Sequence, residues 1–254
     1  MLDGLTAQNL RGVAAWLGAG RDGTPLGKDV VVVSPHLDDG IFSLGAAIAH
    51  ATGRGARVTV LTVLAGDPDS DRPAGEWDAR AGCATAGQAT RARRAEDRRA
   101  CGLVGARPIW LPYSDHQYER GADDSTIRDD VVAAVGDAQL LLPGFPLMHE
   151  DHAWLVGLLQ DTFDAARVGF YVEQPYAARW SSEPGVGPVG SEVAETPRRW
   201  RRAAAGAVDR LRKLRACRAY SSQIPLLDEG LISRIFRYEA RLGGESLAWA
   251  WETS

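Results

Sequence analysis

Cysteine and lysine are scarce in this chain. Its 254 residues include 3 cysteines, Cys83, Cys101 and Cys217, with no Cys-x-x-Cys pair among them. An odd, scattered set excludes a disulfide framework and reads as reduced thiols of a cytoplasmic protein. Lys28 and Lys213 are the only lysines, so arginine carries the positive charge. No apolar run approaches the roughly 20 residues of a membrane-spanning helix. The longest uncharged stretch, Gly40 to Gly53, is too short and contains His50. Met1-Leu2-Asp3 lacks the basic start of a secretory signal, and no continuous apolar segment follows it. The net charge of -4 argues against a chain that coats nucleic acid or an anionic membrane. The arginine run from Arg198 to Arg202, continuing to Arg215, lacks interleaved aromatics and reads as a solvated helix. Gly53-x-Gly55 precedes a strand instead of following one, so the dinucleotide-binding turn of a nucleotide-dependent protein is missing.

Ordinary globular usage is present, with 45% apolar and 24% charged residues. The expectation is one domain over residues 1–254, with a short N-terminal extension (1–28) and a mainly helical C-terminal part (195–254). Asp29–Ser34 is a short β-branched run, apolar on both faces, as a buried parallel strand requires. Arg57–Leu64, Pro108–Leu111, Leu140–Leu142 and Val168–Val172 repeat the pattern. Helices are expected between them: Gly40–His50, Thr90–Cys101, one beginning at Asp124 or Ser125, and one over 153–166. Further helix is expected in the 1–28 extension and over Arg201–Tyr220, loops over 66–83 and 181–191, and an edge strand over Leu247–Trp251. Strands alternating with helices mean an α/β fold with a Rossmann-like, mostly parallel sheet and helices on both faces. Right-handed crossovers then gather the strand-to-helix loops on one edge, where ligands of such sheets bind.

Two polar clusters fall on that edge. Ser34-Pro35-His36-Leu37-Asp38-Asp39-Gly40 follows the first strand, and His149-Glu150-Asp151-His152 follows the fourth. Imidazole with carboxylate suits a divalent metal, and a catalytic zinc takes three protein ligands and leaves a position for water. His36 and Asp39 span one turn and can chelate together, with His152 as the third donor. Asp38 then stands beside the metal as a proton acceptor. His149 is free for proton donation or for stabilising an oxyanion, and Asp151 can accept a bond from an imidazole N–H and fix its tautomer.

These residues resemble the LmbE-like/PIG-L family of zinc-dependent N-acetylglucosaminyl deacetylases, whose motifs are Pro-His-Pro-Asp-Asp-Glu and His-x-Asp-His. The resemblance extends through the charged stretch Thr90–Gly105, with Arg93-Arg94-Ala95-Glu96, and into Lys213–Leu226 with its Ser-Gln pair. It implies His36, Asp39 and His152 as metal ligands, Asp38 as general base, and His149 as acid or transition-state stabiliser with Asp151 behind it. Leu37 and Gly40 depart from the family's Pro and Glu, and Gly40 removes an acidic group next to the site.

The implied activity is hydrolysis of an N-acetyl or other N-acyl group on an amino sugar, free or within a secondary-metabolite glycoside. Zn²⁺ is the implied cofactor, and Fe²⁺ or Co²⁺ would accept the same ligands. Arg93, Asp115, Trp77 and Tyr176 are the candidate substrate contacts, and Glu173 shares the loop of Tyr176. An amidase acting on a non-sugar N-acyl conjugate is the nearest rival, and a metal-binding protein without activity is the rival from another class. Asp38 and His149 weigh against the latter, because binding alone needs neither.

Overall fold

The computed structural model describes residues 23–180, 198–228 and 230–252, without the Trp180 side chain. The expected N-terminal helix before residue 23 and the loop 181–191 lie outside them. Strands β1 (Asp29–Ser34), β2 (Arg57–Thr62), β3 (Arg107–Trp110), β4 (Gln139–Phe145), β5 (Val168–Val172), β6 (Arg201–Arg202) and β7 (Ser246–Trp249) form one sheet. Their order is β3-β2-β1-β4-β5-β7-β6. The five strands from β1 to β5 pair in parallel, while β7 runs antiparallel to both β5 and β6. The sheet is therefore mostly parallel, as expected.

Alternation along β1 divides the core. Val30 and Val32 face one side, packed with Ile41 and Ile48 of helix Asp39–Thr52, Ala100 and Cys101 of helix Ala86–Val104, and Cys217 of helix Ala207–Cys217. Val31 and Val33 face the other, with Ile127 and Val131 of helix Asp124–Val135 and Leu155 and Leu159 of helix Glu150–Leu159. Both faces of β1 are fully covered, which is why its sequence is a continuous apolar run. A buried ion cluster ties the C-terminal part to the first helix. Lys213 Nζ pairs with Glu239 and lies 2.7 Å from Glu245 Oε1, and the Glu245 carboxylate accepts the backbone N–H groups of Ala46 and Ala47 at 2.9 and 2.7 Å.

Three expectations need correction. Arg201–Tyr220 is not one helix: Arg201 and Arg202 pair with β7, and the helix begins only after Gly206. Edge pairing overrides the helical propensity of the Arg-Ala run. The segment 66–83 is not all loop, because Glu76–Arg80 forms a short helix carrying Trp77. The helix expected over 153–166 starts earlier, at Glu150, because His149 caps it by accepting the Asp151 N–H. No helix of the described residues is long and apolar enough to cross a membrane.

Candidate metal centre

Strand order reverses between β1 and β4, so their carboxyl ends splay and leave a crevice. Both polar clusters sit there. The turn after β1 is held by Ser34, whose Oγ donates to His36 O at 2.6 Å and accepts from Gly40 N at 2.9 Å. The His36 N–H donates to Asp39 Oδ2 at 2.9 Å. Position 40 is buried against the sheet, and a Cβ there would lie 3.3 Å from Val60 Cγ1. Glycine fits that packing without a shift of its neighbours.

Three donor atoms converge on one point. His36 Nδ1 lies 3.2 Å from Asp39 Oδ2, His152 Nε2 lies 3.1 Å from the same oxygen, and the two ring nitrogens are 3.2 Å apart. Ligands at the 2.0–2.1 Å of a tetrahedral zinc site stand about 3.3–3.4 Å from one another, so this triangle fits a single small dication. The far ring nitrogens have their own partners. Glu173, buried at 1% exposure, bonds His152 Nδ1, and its other oxygen accepts the Leu147 N–H at 2.8 Å. Asp151 Oδ2 lies 3.1 Å from His36 Nε2, and Arg120 donates to Asp151 Oδ1 at 2.7 Å. Carboxylates behind ligand imidazoles fix ring orientation and tautomer. Asp151 thus stands behind His36 rather than His149, whose Nδ1 is 3.9 Å away.

The electrostatics agree with a cation site. Burial opposes charge on His36, yet Asp151 and Asp39 raise its pKa to about 9. His152 is likewise raised to about 10 against burial, by Asp39 and Glu173. Burial would raise Asp39, but His152 and His36 hold it well below the usual carboxylate range. A field that favours two cationic imidazoles is one that draws a dication. Asp38, 8% exposed, is pushed up to about 7 by burial and by Asp39.

His149 is held differently. Its Nδ1 accepts the Asp151 backbone N–H at 3.2 Å, so the neutral ring carries its proton on Nε2. Burial, with His36 and His152 nearby, lowers its pKa to about 4. His149 also brings a ring nitrogen within 4.8 Å of His36 and His152, and a second group joins it with His116 and Asp151. The triangle containing Asp39 is tighter, and its ring nitrogens meet no backbone donor among the described residues.

A cavity of about 230 Å³ opens over these groups, lined by His36, Asp38, Asp39 and His149 together with Trp77, Arg93, Asp115 and Tyr176. The Trp77 indole N–H donates to Gln223 Oε1 at 2.9 Å, which fixes the ring at the rim. Tyr176 stacks edge-on against His152, with centroids 5.0 Å apart. Arg93 sits 3.8 Å from both Asp78 and Asp115. All four candidate contact residues therefore reach the cavity. Glu173 does not, being turned inward behind His152. His50 is remote from the site and pairs with Asp209 at 2.9 Å. Arg120 was not legible in the sequence, since a single arginine in a loop carries no signal. Glu173 had one, its place just beyond β5 at the carboxyl edge.

The class defined so far is a mostly parallel α/β protein whose histidine-carboxylate cluster, at the switch point of the sheet, could hold a metal ion. Residues 31–158 match the PIG-L family model, described as GlcNAc-PI de-N-acetylase, and the chain belongs to that family. No curated protein gives a significant match. Among solved structures, the A40926 pseudoaglycone deacetylase Dbv21 is 25% identical, with a TM-score of 0.67 over 87% of this chain and 96% of its own. A deacetylase of teicoplanin biosynthesis is 22% identical, with a TM-score of 0.65 over 87% and 96%. The 4-carboxy-2-hydroxymuconate hydratase GalB of Pseudomonas putida is 20% identical, with a TM-score of 0.61 over 90% and 98%. A deacetylase and a hydratase thus share this fold, so the fold alone does not fix the reaction.

Proposed function

We propose that the protein is a metal-dependent hydrolase that removes an N-acetyl or related N-acyl group from an amino sugar carried by a secondary-metabolite glycoside. The observation that carries this reading is the triangle of His36 Nδ1, Asp39 Oδ2 and His152 Nε2, with sides of 3.1–3.2 Å and Asp38 adjacent in sequence. A divalent ion held there would acidify a water and polarise an amide carbonyl, with Zn²⁺ favoured by the mixed donors and Fe²⁺ or Co²⁺ suited to the same set. Asp38 accepts the proton of the attacking water and returns it to the departing amine nitrogen, which leaves as a free amine while the acyl group leaves as a carboxylate. Because Nδ1 of His149 is occupied by the Asp151 N–H, His149 presents Nε2–H and stabilises the amide oxygen as it gains charge. Arg93 and Asp115 bind sugar hydroxyls, and Trp77 and Tyr176 offer flat faces to the ring. The glycoside assignment is supported by family membership and by the likeness to Dbv21, named for an antibiotic pseudoaglycone. Three free thiols suit the cytoplasm.

The test is amine release by purified protein from a panel of N-acetyl sugars, their glycosides and N-acyl amino acids, with and without chelator. Chelator-sensitive release from the sugars is expected. Release from the amino acids alone would move the assignment to a non-sugar amidase, and release indifferent to chelator would refute the metal-dependent mechanism.

A further inference from the structure

Asp151 and Trp154 lie three residues apart on the helix Glu150–Leu159, which puts them on one face. The Arg120 side chain, from the loop after β3, lies across both. Its Nη2 donates to Asp151 Oδ1 at 2.7 Å, and its guanidinium carbon lies 3.7 Å from the centroid of the Trp154 ring. That ring is fixed in turn, because its indole N–H donates to Asp124 Oδ1 at 3.1 Å. A guanidinium can bond a carboxylate in its plane while its face stacks on an aromatic ring, and an ammonium has no such plane.

The Asp151 carboxylate is fully buried, and its two oxygens have different tasks. Oδ2 faces His36 Nε2 at 3.1 Å and accepts the His116 N–H at 3.3 Å, with His116 Nδ1 at 3.2 Å. Oδ1 has Arg120 as its one partner among the described residues. A carboxylate bonded through one oxygen can swing about its Cβ–Cγ bond, and a charge-assisted bond on the other oxygen stops that swing. His36 Nδ1 forms one corner of the donor triangle, so the ring carries its proton on Nε2 and needs Oδ2 in place to accept it. The plane of Asp151 therefore sets the direction of His36, and Arg120 sets that plane.

We infer that Arg120 is a positioning residue of the candidate metal centre, acting through Asp151 to aim His36 Nδ1 at Asp39 and His152, and held to that task by the Trp154 ring. This rests on the proposed hydrolase reading, since it assigns a support to the ion which that reading requires. Arg120 also ties its loop to the helix, and the same loop brings Asp115 to the cavity. A tie alone acts on the substrate, whereas a positioning residue acts on the ion.

Zn²⁺ affinity of the full chain, read by competition with a chromophoric chelator, separates the two. Arg120→Met keeps the length and removes the charge. It should weaken Zn²⁺ by about fivefold or more, near the low end of the 10–100-fold typical of a partner in direct contact with a ligand imidazole. Arg120→Lys restores the charge without the plane and should recover part of that loss. Trp154→Leu removes only the stacking face, should weaken Zn²⁺ about twofold to threefold, and serves should Arg120→Met fail to fold. In an Asp151→Asn background, Arg120→Met should cost less than about twofold more, because residues that act through one another are not additive. Arg72→Met is the control. It cuts the exposed pair at 3.3 Å that ties the same loop through Glu119, and Zn²⁺ affinity should not change. Affinity within about twofold of the parent in Arg120→Met, with or without a raised KM, would overturn the inference and leave the hydrolase reading intact. An undiminished loss in the Asp151→Asn background would do the same. Weakened Zn²⁺ in Arg120→Met, with no amine release by the parent from any N-acyl substrate, would support the positioning role and refute the hydrolase reading.

Discussion

Replacing Glu173 by glutamine probes the metal centre without touching a proposed ligand. The glutamate is buried, with one oxygen on His152 Nδ1 and the other accepting the Leu147 N–H. A glutamine of the same shape has one acceptor and one donor. If its carbonyl keeps Leu147, its NH₂ faces the Nδ1–H that His152 must carry when Nε2 is a ligand. If it turns, the NH₂ faces the Leu147 N–H. Either orientation sets donor against donor and removes a buried negative charge from behind the ligand. Loss of such a supporting partner typically weakens a metal about 10–100-fold, or about 1.4–2.7 kcal/mol. Competition with a chromophoric chelator for Zn²⁺ measures this directly. The metal-free variant should still unfold in one cooperative transition, which separates the effect from misfolding. Zn²⁺ affinity within twofold of the parent would refute the role of Glu173 and weaken that of His152.

Four further outcomes follow from the same geometry. Asp38→Asn should cost about 10²–10⁴-fold in kcat while metal content per chain, measured by atomic emission, stays unchanged. His149→Ala should lower kcat about 10²–10³-fold with little change in KM, as expected for a donor used in the transition state. Lys213→Met removes the ammonium that the buried Glu239 and Glu245 share and should destabilise the fold by about 3–5 kcal/mol in urea denaturation; a loss below about 1 kcal/mol would contradict the buried network. Zn²⁺ at about 100 times its Kd should add about 2.7 kcal/mol of stability. For a chain of this size that raises Tm by about 5–10 °C over a chelator-treated sample, and an unchanged Tm would mean that the folded state holds no ion.

Much of the site was legible because the signals were local. His36, Asp38 and Asp39 share one turn, and His149, Asp151 and His152 share another. Each turn follows a buried strand that its continuous apolar run already marked. Their convergence needed one further fact, that parallel strands put such turns on a common edge. The remainder depended on pairings that no local pattern encodes. Arg120 reaches Asp151 only because of the path of the loop after β3. Asp151 supports His36 instead of its near neighbour His149 because the helix N-terminus takes His149 as its cap. Residues 201–202 read as helix because Arg and Ala favour it, while the sheet edge offered by β7 decides otherwise.

We propose that one ion is held jointly by His36, Asp39 and His152. Anomalous diffraction at the zinc edge, from crystals of the Zn²⁺-loaded protein, tests it most directly. A single peak is expected about 2.0–2.2 Å from His36 Nδ1, Asp39 Oδ2 and His152 Nε2. A peak bonded to His149 in place of Asp39, or one between His116 and Asp151 with the triad empty, would contradict it.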